Sequence, residues 1–178
     1  MRNDGVTLVE LIIVIAIIGI IVLFATIDTA WFQRDARLTE VRDRLLADIE
    51  NVKLKSITGV PHAIFVVGTT SYRAVRLTDA AGSDFKRDTT DTEADGDIIT
   101  VANFTSPTLP SNMRLRWSNG TEIWFDRKGT PRSSTWGFTN GTFTIWYDTE
   151  TVNNSPDSNE QQKEIVISQD GRIQYEKR

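Results

Sequence analysis

The chain reads as an α+β protein: one long N-terminal helix followed by a β-rich domain that covers part of it. Three observations predict this. An uncharged apolar run, LIIVIAIIGIIVLFATI, fills Leu11 to Ile27. A helical stripe of apolar residues then continues at Leu38, Val41, Leu45, Ile49 and Val52. After Pro61 the pattern changes to short strand-like runs separated by Gly- and Asn-containing turns. Helix first and strands after is the order of an α+β domain.

The apolar run comes first. At about 1.5 Å per residue it spans roughly 26 Å, and about 33 Å when counted from Val6, enough to cross a bilayer. In lipid only an internally hydrogen-bonded helix satisfies the backbone, so the Ile and Val content does not argue against a helix. A single carboxylate, Glu10, stands at its start. A charge in hydrocarbon costs a few kcal/mol and implies a partner or a function. Three readings compete. A secretory signal has an apolar core of about 7 to 15 residues and a small-x-small cleavage site, and this run is longer and lacks the site. A plain membrane anchor has no need of Glu10. The third reading follows from the residues around it.

Gly5-Val6-Thr7-Leu8-Val9-Glu10 resembles the type IV prepilin signal, a glycine followed by Phe-Thr-Leu-Ile-Glu. The resemblance implies cleavage between Gly5 and Val6 by a prepilin peptidase, N-methylation of the new terminus and retention of the apolar helix. Val6 stands where that family usually has Phe. It further implies a partner for Glu10: the new ammonium of Val6, in the same chain or a neighbour. Between neighbours such a desolvated pair fixes axial register, because a wrong register strands two charges in lipid.

Beyond Asp28 no proline interrupts the chain before Pro61. The stripe spacing of three and four is that of an amphipathic helix, which Leu46, Leu54 and Ile57 would widen. Arg34, Asp35, Arg42, Asp43, Asp48 and Glu50 fill the remainder as a solvated surface. One helix from Val6 to Thr58, about 80 Å long, is expected, with Gly59 and Pro61 ending it.

The strands are expected at His62 to Gly68, Ser71 to Leu77, Ile98 to Phe104, Met113 to Trp117, Glu122 to Phe125, Thr142 to Tyr147, Glu164 to Ser168 and Arg172 to Tyr175. Asn119-Gly120 and Asp170-Gly171 predict tight hairpins between their flanking runs. One sheet face is expected on the helix stripe. Trp117, Trp124, Phe125, Trp136, Trp146 and Tyr147 are expected in the core and on sheet faces rather than on a ligand platform. EIWFDRKGTPR and the ending EIVISQDGRIQYEKR are similar to the strand–turn–strand closes of the GspH/FimT group of minor pseudopilins.

The organisation expected is a leader over 1–5, a long helix over 6–58 with its transmembrane part at 6–27, and a periplasmic β-rich domain over 59–178. The resemblance implies a minor pilin-like (pseudopilin) subunit of the bacterial inner membrane. It would be assembled into, or at the tip of, a type II secretion pseudopilus or a type IV pilus. Its partners would be other pilin or pseudopilin subunits and prepilin peptidase. A DNA-uptake pilin and a membrane-anchored binding module are the alternatives.

Chemistry is sparsely represented. There are no cysteines and one histidine, His62, so thiol catalysis, disulfides and His-rich metal sites are excluded. No nucleophile, base and orienting acid assemble, and a non-enzyme without a cofactor is expected. Asp91, Glu93 and Asp95, followed by Gly96, echo the start of an EF-hand Ca²⁺ loop, but the twelfth position is Ala102 instead of Glu. A solvated acidic loop is the preferred reading. Asn103, Asn119 and Asn140 match the glycosylation sequon, yet Asn-Gly steps are sufficiently explained as turns. Arg172, Lys177 and Arg178 near Tyr175 could touch DNA phosphates. The net charge of −4 weighs against a nucleic-acid surface.

Overall fold

A computed structural model describes residues 7–25, 29–78, 86, 92–94, 96–101, 107–148, 155–157 and 160–176. Two helices are described, α1 (Leu8–Ala25) and α2 (Thr29–Thr58). The chain divides into a compact unit over 1–35 and another over 36–178. Residues 26–28, where the single expected helix would pass from one described helix to the other, lie outside the described residues.

In the second unit, α2 buries Leu38, Leu45, Ile49, Val52 and Ser56. Val41 and Leu46 pack beside them, partly buried. Leu54 and Ile57 do not widen the stripe: they are 60% and 47% exposed. The helix advances about 100° per residue, so positions next to or two away from the stripe rotate off it. Ser56 takes the interior position and is satisfied there. Its hydroxyl donates to the Val52 carbonyl at 3.0 Å and accepts the His62 amide at 3.0 Å. This fixes the exit of the chain from the helix at the place where Gly59 and Pro61 end it.

Among the described residues nine strands follow: β1 (His62–Val67), β2 (Ser71–Leu77), β3 (Ile98–Thr100), β4 (Met113–Trp117), β5 (Glu122–Phe125), β6 (Pro131–Arg132), β7 (Gly141–Tyr147), β8 (Gln162–Ile167) and β9 (Ile173–Glu176). They form two sheets instead of one: sheet A in the order β3-β2-β1-β5-β6, and sheet B in the order β4-β7-β8-β9. All described pairings are antiparallel. The β1–β2 hairpin forms, and the β8–β9 hairpin forms as Asp170-Gly171 predicts.

The hairpin expected at Asn119-Gly120 does not form. β4 pairs with β7, β5 pairs with β1, and the turn carries the chain from one sheet to the other. The reason lies in how many faces each strand buries. In β5, Ile123 and Phe125 face the main core while Trp124 faces a second cluster on the opposite side, which suits an interior strand of sheet A. β4 alternates buried Met113, Leu115 and Trp117 with the less buried Arg114 and Arg116, which suits an edge with one covered face. Two-sided burial outweighs a local turn preference.

The main core joins the α2 stripe to both sheets. Ile64, Val66, Tyr72 and Ala74 come from sheet A, and Phe143, Ile145, Ile165 and Ile167 from sheet B. On the outer face of sheet A, Ala63, Val75, Leu77, Ile98 and Trp124 form the smaller cluster, against which Phe65 and Trp136 pack. β7 does not alternate, since Phe143 through Trp146 are all buried. Of the aromatic set, Trp117, Trp124, Phe125 and Trp146 are fully interior, whereas Tyr147 and Trp136 are partly exposed.

β6 was not anticipated. It has two residues, begins with proline and sits at an edge, where a missing amide costs no ladder bond. The β5–β6 turn is organised by Asp126. One carboxylate oxygen accepts the Lys128 and Thr130 amides at 2.8 and 2.9 Å, and the other accepts Arg132 Nε and Nη2 at 2.9 and 2.8 Å. Burial alone would raise the pKa of this carboxyl. The Thr130 amide, the Arg132 side chain and the Lys128 amide outweigh that and hold it below 3.8. Asp126→Ala is expected to cost about 3 kcal/mol, because it strands a largely buried guanidinium and two amides. In a domain of this size that lowers the melting midpoint by on the order of 10 °C. A lowered folded-state value means the carboxylate's contribution is present above pH 3.8 and is lost as pH falls through the folded value. Acid titration of wild type and Asp126→Asn should show this difference collapsing in that window.

Candidate assembly surface

The first unit carries α1. Its sequence LVELIIVIAIIGIIVLFA is apolar on every side except at Glu10, and its described side chains are all exposed, from Leu8 to Val22. At about 1.5 Å per residue its 18 residues cover about 27 Å, just short of the roughly 30 Å of a hydrocarbon core. Among the described residues no helix is long and apolar enough to cross a membrane.

Glu10 lies in the first turn of α1. The Glu10 amide donates to Thr7 Oγ1 at 3.3 Å, and the Leu11 amide donates to the Thr7 carbonyl at 3.2 Å. Thr7 is therefore the N-cap, and Thr7-x-x-Glu10 has the spacing of a capping box. Sequence reasoning overlooked this motif, although the four residues display it. It gives Glu10 a second, local reason to exist. Gly5 and Val6, the expected processing residues, lie outside the described residues.

The acidic loop is only partly in view. Asp91 and Asp95 lie outside the described residues. Glu93 is paired with Arg73 of β2, whose guanidinium also lies 5.6 Å from the Phe65 ring centroid. Among the described residues no group of three or more His, Asp or Glu could hold a metal ion.

Of the C-terminal basic set, Lys177 and Arg178 lie outside the described residues. Arg172 follows the β8–β9 turn with its side chain 68% exposed, and its Nη2 is 3.9 Å from Asp170 Oδ2. Tyr175 is exposed on one side and receives the Arg42 guanidinium at 4.9 Å from its ring centroid. This cation–π contact lays β9 on α2.

A junction missed by the sequence reading lies at Lys53. Lys53 Nζ donates to the Gly171 carbonyl at 2.6 Å, tying α2 to the β8–β9 turn of sheet B. Gly129, in the β5–β6 turn of sheet A, packs against the same side chain: a Cβ there would meet Lys53 Cε at 2.9 Å and Ile57 Cδ1 at 3.0 Å. A Cβ on Gly171 would sit 2.4 Å from the Gly129 carbonyl oxygen. Both glycines have positive φ, 75° and 82°. Arg127, in the same β5–β6 turn, donates from Nε to the Gly59 carbonyl at 3.0 Å. The segments EIWFDRKGTPR and EIVISQDGRIQYEKR thus meet each other over one helical lysine.

Residues 1–26 match the family described as the prokaryotic N-terminal methylation motif. The fold is similar to that of the type IV minor pilin FimU of Pseudomonas aeruginosa strain PAO1. That match has a TM-score of 0.53 and 16% identity, and covers 82% of this chain and 92% of that one. The chain has a pilin-like fold. No curated protein sequence matches it significantly. The pilin-like architecture accounts for the division of apolar surface: α1 leaves its surface uncovered, while α2 gives its stripe to the two sheets.

Proposed function

We propose that this chain is a minor pilin-like subunit. It is held in the bacterial inner membrane by residues 6–27, with residues 59–178 outside the cytoplasm. Prepilin peptidase removes residues 1–5 between Gly5 and Val6, and the new terminus is N-methylated. The subunit then enters a filament of the type IV pilus or type II secretion pseudopilus class, within it or at its tip. Its neighbours there are other pilin or pseudopilin subunits.

The observation that supports this most directly is the methylation motif over residues 1–26, leading into a helix with apolar side chains exposed all round and one carboxylate in its first turn. An apolar helix that its own domain does not cover suits a lipid surrounding first and a bundle of like helices afterwards. This chain is the substrate of that cleavage and not its catalyst, and the subunit's work is structural.

The deciding experiment is incubation of the full chain in membranes with prepilin peptidase, followed by N-terminal mass analysis. Cleavage between Gly5 and Val6 is expected, with Gly5→Leu resisting it. A parent chain that stays intact, or is cut elsewhere, would show an ordinary anchor carrying a binding module.

A further inference from the structure

Where the inner face of sheet A runs past the end of α2, a pocket of about 330 Å³ opens, lined by Lys55, His62, Arg76, Ile99, Thr100 and Val101. Among the described residues, half of this lining is cationic or can become so, and none of it is acidic. In a chain whose net charge is −4, that wall runs against the overall balance.

His62 is held in a defined state. Its amide is bonded to Ser56 Oγ, and its ring Nδ1 lies 2.6 Å from the Val60 carbonyl. A carbonyl can only accept, so Nδ1 carries the hydrogen and Nε2 is the ring's remaining site. Burial lowers the ring's pKa from 6.5; the Val60 bond opposes this, and Lys55 and Arg76 lower it further. The groups around the ring explain the balance. Lys55 comes from α2 and Arg76 from β2, β3 contributes only Ile99 and Thr100, and β5 sets Phe125 opposite His62. Asp126, next in the chain, is already engaged by Arg132. The lining therefore favours a neutral imidazole with two fixed cations close to it.

We propose that this pocket binds an oxyanion of the phosphate class. Arg76 and Lys55 supply charge, and His62 takes one proton from solvent so that Nε2–H becomes a further donor. Three cationic groups arriving from a helix and two strands suit an anion with several oxygens. A carboxylate offers only two, and a single Arg fork satisfies them. None of the lining residues is a processing or assembly residue, so the site does not depend on the filament reading.

Because His62 is the sole histidine, its ring signals report on the pocket without interference. The test is NMR of the full chain in neutral detergent micelles, titrated with inorganic phosphate against chloride at matched ionic strength. A saturable shift of the ring signals and a higher His62 pKa in phosphate are expected. Arg76→Gln and Lys55→Gln should each weaken binding about tenfold, the loss of one charged hydrogen bond, while the spectrum of the β domain stays unchanged. Vesicles of phosphatidylglycerol, compared with phosphatidylcholine, separate the sources: a response to these alone assigns the anion to a lipid headgroup, and a response to free phosphate assigns a small anion. Identical titrations in phosphate and chloride, with no vesicle response, would overturn the site. Acetate acting as strongly as phosphate would overturn the ligand class.

Discussion

Glu10→Gln is expected to abolish incorporation into filaments while leaving the β domain's melting midpoint unchanged. The substitution separates the charge role proposed for Glu10 in assembly from its place in the Thr7-x-x-Glu10 cap. Glutamine serves a capping box as well as glutamate does, because either side chain can reach back to the N-cap amide. Thr7 remains the cap, and the Thr7 to Glu10 bond is made by backbone amide and hydroxyl. What glutamine cannot supply is a charge for the ammonium that cleavage would create on Val6. If Glu10 acts through charge, Glu10→Gln and Glu10→Ala fail alike, and filament-bound protein falls by an order of magnitude or more, as removal of one partner of a desolvated pair implies. If it acts only as a cap, the Gln variant assembles like the parent and the Ala variant loses about 1 kcal/mol of helix stability. Immunoblotting of sheared filaments against the membrane fraction reads the outcome, with calorimetry as the control for folding.

Gly171→Ala carries the largest expected cost to the fold. At φ 82° an alanine pays about 1–2 kcal/mol for the left-handed conformation alone. Its Cβ would also lie 2.4 Å from the Gly129 carbonyl oxygen, which is backbone and cannot rotate away. The turn must move, and the Lys53 bond to its carbonyl is lost with it. A total near 4 kcal/mol follows, a drop of roughly 10 °C in the melting midpoint. Gly129→Ala makes the informative comparison. Its φ is similar, but its new methyl meets the ends of the Lys53 and Ile57 side chains, which can rotate. It should cost about half as much. Equal effects at the two positions would show that conformational strain, and not the approach of the two turns, governs the junction.

Much of this architecture can be read without coordinates, for identifiable reasons. β2, β4 and β5 have the bounds that alternation and turn residues give, and the α2 stripe follows from the spacing of Leu38, Leu45, Ile49 and Val52. Local signals carry those features. The failures are non-local. Asn119-Gly120 announces a turn but not which sheet its second strand will join, and that depends on both faces of β5 being covered from far along the chain. Leu54 and Ile57 look like stripe residues until the helix phase is fixed by what packs against it. Lys53 looks like one more solvated charge, because nothing near it in sequence names Gly129 or Gly171. At the N-terminus, Thr7 and Glu10 were legible in two ways at once, as a processing signal and as a cap.

The pairing of β1 with β5 has a consequence for the order in which the molecule can form. The β1–β2 and β8–β9 hairpins join neighbours and can close within microseconds. Sheet A, however, seats β5 beside β1 only after the whole stretch between them has been made and its ends brought together, and sheet B likewise waits for β7 to reach β4. Such distant closures are slow because loop entropy must be overcome before any contact rewards it. Leu38, Leu45, Ile49 and Val52 are made before either sheet and covered only once both are in place. A newly made chain therefore presents its apolar stripe through the slowest part of its folding, and holding that stripe away from neighbouring chains is the main demand on whatever handles it during that interval.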